Sequence, residues 1–147
     1  MAHNFDRFPE LTNSQAEHYY WQSPHKQIFE DFKALVVKVH DGDTIRVKWT
    51  ERDFEFPIRL ALIDAPELNE RGGAKSKSWL EAQILGKEVE IIIDKERRIG
   101  KWGRILGEIM FMGRNINKES MDLGFSKDFF QEPSEIQPIK LLLPKLE

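Results

Sequence analysis

The stretch Val36-Val37-Lys38-Val39-His40-Asp41-Gly42-Asp43-Thr44-Ile45-Arg46-Val47-Lys48-Trp49 decides the architecture of this chain. Its two halves are rich in β-branched residues, and the second alternates apolar and polar side chains, as a strand with one buried face does. Between them stands Asp41-Gly42, a strong tight-turn signal. The segment therefore predicts a β-hairpin. Downstream, Phe54 to Ile63 reads as a third strand, with Pro57 marking a bulge or an edge. Ala74 to Leu85 has helical spacing, with Ala74, Ser78, Leu80, Ala82 and Ile84 apolar or small, and Gly86 stops it. Val89, Ile91 and Ile93 alternate as a fourth strand. Ile105 to Met112 is a fifth, with Gly107 as a bulge position, and Asn115 to Leu123 is a short helix ended by Gly124.

Five strands with a helix between the third and fourth predict a β-rich α+β fold, a five-stranded OB-type Greek-key barrel with two or three short helices. The barrel domain is expected over 34–130. An N-terminal extension over 1–33 is polar, with a capping box from Ser14 to Glu17 and a turn start at Ser23-Pro24. A C-terminal tail over 131–147 carries three prolines around the apolar run Ile139 to Leu143. These two segments are the expected places for any homo-oligomer contact.

Composition narrows the function classes. With 147 residues the chain has enough length for one domain with a core. There is no cysteine, which excludes a thiolate metal site and a cysteine nucleophile. No apolar run approaches the roughly 20 residues needed to span a bilayer, and no secretory signal pattern opens the chain, so a cytoplasmic location without a membrane partner is expected. The net charge of −3 argues against a polyanionic partner. Locally the balance reverses, because Arg71 to Arg104 holds nine Lys and Arg against five acids. Phosphate contacts depend on local basic density, which leaves nucleic acid open.

Three loops concentrate chemistry. Asp41-Gly42-Asp43-Thr44 sets two carboxylates beside a tight turn. Arg59-Leu60-Ala61-Leu62-Ile63-Asp64-Ala65-Pro66-Glu67 gathers acids at the exit of an apolar strand, and oxygen donors suit hard cations. Arg97-Arg98-Ile99-Gly100-Lys101-Trp102-Gly103-Arg104 is a basic loop with an aromatic that could stack on a base. Each has an ordinary structural explanation when taken alone: a surface turn, a helix-capping acid pair, a solvated β-loop. Phe129-Phe130 reads more readily as a core or tail anchor than as a stacking surface.

In order and in type, these three loops together resemble the staphylococcal nuclease family over about Leu35 to Phe130. The resemblance implies a barrel nuclease that hydrolyses phosphodiester bonds of DNA or RNA and leaves 3′-phosphate and 5′-hydroxyl ends. It implies that Asp43 and Asp64 ligate Ca²⁺, with Mg²⁺ or Mn²⁺ as substitutes, and that Ala65 adds a backbone carbonyl. Asp41 falls where the family has an acid near the metal, and Glu67 where it has the residue that activates the attacking water. Arg59 and Arg104 match the phosphate-binding arginines. Lys101, Trp102 and Phe130 match residues along the nucleic-acid groove, with Trp102 in place of the commoner tyrosine and Phe130 lacking a hydroxyl. Gly100 replaces an acid. The alternatives are a non-catalytic nucleic-acid-binding barrel and, less favoured, a protein-interaction module built on the two terminal segments.

Overall fold

The computed structural model describes residues 28–95, 97–100 and 103–129. The expectations for residues 1–27 of the N-terminal extension, for the C-terminal tail, and for Lys101, Trp102 and Phe130 fall outside them. The elements run β1 (Phe32–Asp41), β2 (Thr44–Lys48), β3 (Phe56–Leu60), β4 (Ile63–Asp64), α1 (Gly73–Ile84), β5 (Glu88–Ile93), β6 (Ile105–Phe111), β7 (Arg114–Asn115), α2 (Ile116–Asp122) and β8 (Lys127–Asp128).

The strands β3-β2-β1-β5-β6 are hydrogen-bonded in that order, and a parallel β3–β6 pairing closes them into a barrel. The five expected strands are the five that close it. Two short pairs were not foreseen: β7 extends the sheet beyond β6, and β4 pairs with β8. At two residues each, they carry no periodicity for a sequence to display. Inward positions alternate along the strands, and Val36, Ile45, Phe56, Ile58, Ile91 and Ile109 are completely buried among them. The expected hairpin forms, with Asp41 opposite Thr44 across the turn, and the β1–β2 register shifts twice, between Val36 and Lys38 and between Val39 and Asp41.

Three local expectations need correction or narrowing. Pro57 is at no bulge, since its β2–β3 register is regular, and the edge alternative holds, because the ladder to β6 begins only at Ile58. Pro57 thus holds an end position where the missing N–H of proline is tolerated. Gly107 is not at a bulge, because the β5–β6 register is unbroken from Glu90 to Ile93. A Cβ there would stand 2.6 Å from the Ile91 Cγ2, so close packing inside the barrel is what demands glycine. In α1 the buried stripe is Gly73, Ser76, Leu80 and Ile84, while Ala74, Ser78 and Ala82 face outward. Small size misled the reading there, since the side chains that turn inward include a glycine and a serine.

One buried side chain ties the barrel to α2. Asn117 is 2% exposed. Its Oδ1 accepts from the Ile109 N–H at 3.0 Å, and its Nδ2 donates to the carbonyls of Ala61 at 2.8 Å and Gly107 at 3.1 Å. An apolar replacement strands the Ile109 N–H and the Ala61 carbonyl away from water, while Gly107 O keeps the Ala61 N–H. Asn117→Leu is expected to lower stability by about 2–4 kcal/mol in denaturant titration, since each orphaned buried group costs ~1–3 kcal/mol.

Candidate active site

The turn from β3 to β4 is the keystone of the site. Leu62 takes a left-handed conformation there, with φ of 71°. A non-glycine residue in this region costs about 1–2 kcal/mol and persists only where its surroundings enforce it. Here every carbonyl of residues 60–63 accepts a hydrogen bond. Arg59 Nη1 donates to Leu60 O and to Ile63 O, Asn117 Nδ2 donates to Ala61 O, and Phe129 N–H donates to Leu62 O at 3.0 Å. On the other side, Leu60 N–H donates to Asp43 O and Ala61 N–H to Gly107 O. The turn is thereby welded to the β1–β2 hairpin, to β6 and to α2.

Around this turn opens a cleft of about 640 Å³, lined by Asp41, Asp43, Arg59, Asp64, Glu67 and Arg104 among others. All five charged residues assigned to metal binding or catalysis, and Asp41 with them, therefore reach one space. Asp43 is 7% exposed. Its Oδ2 accepts from Ala65 N–H at 2.9 Å and its Oδ1 from the Thr44 hydroxyl at 3.2 Å. Asp41 Oδ1 caps the turn by accepting from Asp43 N–H at 3.0 Å. Gly42 is required at this point, because a Cβ would stand 1.9 Å from Ser76 Oγ and 2.7 Å from Ala65 Cβ. The close approach of α1 and the Ala65 segment therefore permits only glycine between the two aspartates.

Arg59 Nη2 lies 3.3 Å from Asp43 Oδ2 and 3.6 Å from Asp64 Oδ1, so both carboxylates converge on one nitrogen. Arg104 Nη1 donates to Thr44 Oγ1 at 3.3 Å, which joins the second guanidinium to the aspartate pair through a hydroxyl. Burial and the facing Arg59 cation lower the Arg104 pKa, against the pull of Asp43, Asp41 and Glu67. Two guanidiniums that disfavour each other and face open space make an anion-binding corner. Burial, then the adjacent Asp41 carboxyl, push Asp43 above its ordinary value, and the Ala65 N–H and Arg59 only partly offset this.

Among the described residues no group of three acidic or histidine side chains forms a preformed metal cage. The donor chemistry nonetheless fits a hard cation. Asp43 and Asp64 are two converging oxygen donors, and burial disfavours the Asp43 charge unless a cation stands beside it. Arg59 fills that role here. Ala65 is adjacent to the pair through its N–H bond to Asp43. Glu67 is exposed at the mouth, with its N–H donating to Glu70 Oε1 at 2.7 Å.

Several residues of the cleft escaped the sequence reading. Thr44 bridges Asp43 and Arg104, a role available to any hydroxyl opening β2. Phe129, 53% exposed, lies 5.8 Å from the Arg59 guanidinium and lines the cleft. The sequence suggests an anchor at Phe129, and the structure leaves its ring half exposed in the cleft. Arg98 departs from the basic run entirely: it is 1% exposed and its Nε donates to Ile28 O at 2.6 Å.

The folded-state pKa of Asp43 lies above the unfolded one, so its ionised form works against folding at neutral pH, and less so as the pH falls through the raised value. Asp43→Asn is therefore expected to keep or raise the melting temperature at pH 7 in chelator, measured by calorimetry. A marked fall would show that the Arg59 ion pair dominates instead.

A family model described as staphylococcal nuclease homologue matches residues 57–143. The chain is 32% identical over 105 residues to an uncharacterized endonuclease of Haemophilus influenzae, covering 69% of this chain and 57% of that protein. It is 34% identical over 79 residues to a micrococcal nuclease of Shigella flexneri, covering 54% and 42%. An uncharacterized endonuclease of Escherichia coli is 36% identical over 89 residues, covering 60% and 55%. The chain thus spans about half the length of the curated relatives it matches. The family match begins inside β3 and takes in Arg59, the β3–β4 turn and the Arg104 loop, and on that match this chain belongs to the staphylococcal nuclease family.

Proposed function

We propose that this chain is a metal-dependent nuclease that hydrolyses phosphodiester bonds in DNA or RNA, with Ca²⁺ as the cation and Mg²⁺ or Mn²⁺ as substitutes. The ends expected are 3′-phosphate and 5′-hydroxyl. One observation carries the reading: two guanidiniums and the acids Asp43, Asp64 and Glu67 line a single cleft. The relatives named as nucleases support it.

A divalent ion held by Asp43 and Asp64 would neutralise the phosphate and polarise its oxygens. The chain's own residues supply the rest. Arg104 is held at the wall through Thr44, where its planar fork can pair with two phosphate oxygens. Arg59 exchanges its aspartate partners for phosphate as substrate enters. Glu67, at the open mouth, orients or deprotonates the attacking water, a contribution of roughly 10²–10⁴-fold for a general base. Phe129 offers a ring face to a base beside Arg59.

A non-catalytic nucleic-acid-binding barrel is the second reading. What favours it is Arg59 standing between the two carboxylates that would hold the ion. Incubating the chain with an end-labelled single-stranded oligonucleotide and Ca²⁺ separates the two. Cleavage is expected, abolished by a calcium chelator and nearly abolished in Glu67→Gln. Salt-sensitive binding without cleavage under Ca²⁺, Mg²⁺ or Mn²⁺ would establish the second reading instead. Arg104→Lys keeps the charge but loses the fork. It is expected to fold normally and to lose about 10²–10³-fold in kcat, the usual consequence of deleting one transition-state donor. Near-normal turnover would remove Arg104 from the reacting centre.

A further inference from the structure

The cleft has lining that the reacting corner does not use. Besides Arg59 and Arg104 it is lined by Asp94, Arg97, Gly100 and Leu106, none of which takes part in the proposed chemistry. We infer that Arg97 forms a second phosphate subsite, one that holds the phosphate next to the scissile one along a polynucleotide strand. The inference rests on the nuclease reading above and adds to it a requirement for substrate length.

Three observations support this. The first is placement. Arg97 leads into the same loop as Arg104, and that loop is closed on itself. Leu106 N–H donates to Arg98 O at 2.8 Å, Gly100 N–H donates to Arg104 O at 2.7 Å, and Ile99 bridges Ile105. Backbone pairing therefore holds Arg104 and the residue next to Arg97 on facing sides of the loop.

The second is anchoring. Arg98, the next residue, runs inward. Its Nε bonds Ile28 O at 2.6 Å and its guanidinium lies 4.2 Å from the Phe29 ring. A buried arginine tied to the segment before β1 holds the base of the loop still. Arg97 itself is steadied by Asp94, whose Oδ1 accepts from Arg97 N–H at 3.1 Å and whose Oδ2 lies 3.6 Å from Arg97 Nε. The side chain stays 63% exposed, so solvent and ligand reach it.

The third is the chemistry of the ligand. A polynucleotide presents one phosphate per nucleotide, and OB-type barrels engage about 4–16 nucleotides of a single strand. A strand with one phosphate at Arg59 and Arg104 must carry its next phosphate away from that corner, and the Arg97 wall supplies a forked cation along the cleft. Asp94 beside it repels phosphate and keeps the contact modest. Arg97 thus acts on binding of longer substrates and leaves the chemical step untouched.

The test compares the full chain with its Arg97→Ala, Arg97→Glu and Arg97→Lys variants. The substrates are dithymidine with a single phosphodiester and a ten-nucleotide oligothymidylate. Steady-state cleavage and binding by fluorescence anisotropy are read from about 50 to 200 mM salt. Arg97→Ala is expected to raise the decamer KM about three- to tenfold with kcat held within about twofold, and to leave dithymidine unchanged. The salt slope of decamer binding should fall by about one. Arg97→Glu should weaken decamer binding further, and Arg97→Lys should restore the slope. Decamer KM and salt slope equal to the parent's, while the parent cleaves, would overturn the subsite and leave the nuclease reading standing. A parent that binds but cleaves neither substrate would defeat the nuclease reading, and the anisotropy slope would still decide for or against Arg97. A parent that does neither would overturn both.

Discussion

The guanidinium of Arg59 is the interaction on which the rest of the site depends. Through Nη1 it satisfies two carbonyls of the β3–β4 turn, and through Nη2 it meets the carboxylates of Asp43 and Asp64. One planar cation thus joins the end of β3, the left-handed turn at Leu62 and the aspartate of the β1–β2 hairpin. The strain at Leu62 and the burial of Asp43 are each costly alone. They coexist because the same group opposes both, and a flexible ammonium in its place could not reach four acceptors in fixed directions.

Barrel closure explains why the second guanidinium is nearby. The parallel ladder between β3 and β6 sets Arg59 beside Leu106, two residues after Arg104. Any chain that closes a barrel through this register brings the exit of β3 and the entrance of β6 to one rim. The β1–β2 turn joins that rim because Thr44 pairs with Arg59 across the β2–β3 ladder. Three loops distant in sequence therefore meet by strand register alone, and the cleft between them follows from the topology.

This division of labour decides what the sequence could reveal. The barrel strands were legible because alternation and β-branching report burial directly, as in Thr44 to Lys48. The charged residues that meet in the cleft were legible as a group because their order across three loops is distinctive. Other features have no local signature. Two-residue ladders such as β4 with β8 are too short to show a period. Gly107 looks like a bulge glycine and is a packing glycine, a distinction that resides in Ile91. Arg97 and Arg98 are adjacent and chemically identical, yet one is at the cleft and the other is inside the protein. Only the fold of the loop separates them. Phe129 likewise gained its place from the pairing of its N–H with Leu62, a contact no spacing rule announces.

A protein with a net charge of −3 that is to hold a polyanion faces an electrostatic contradiction. The arrangement at the cleft resolves it locally. The negative charge needed to attract a metal ion is placed low, in Asp43, behind the turn and partly screened by Arg59. In the proposed reading, the positive charge for phosphate is carried by Arg104 and Arg97, which both line the cleft. In the ligand-free state the two sets neutralise each other through Arg59, which keeps a buried carboxylate tolerable. Cation and phosphate would arrive as a second pair of opposite charges, and Arg59 could then trade aspartate for phosphate with little net change in local charge. A site of this kind is stable when empty because it contains its own counter-ion.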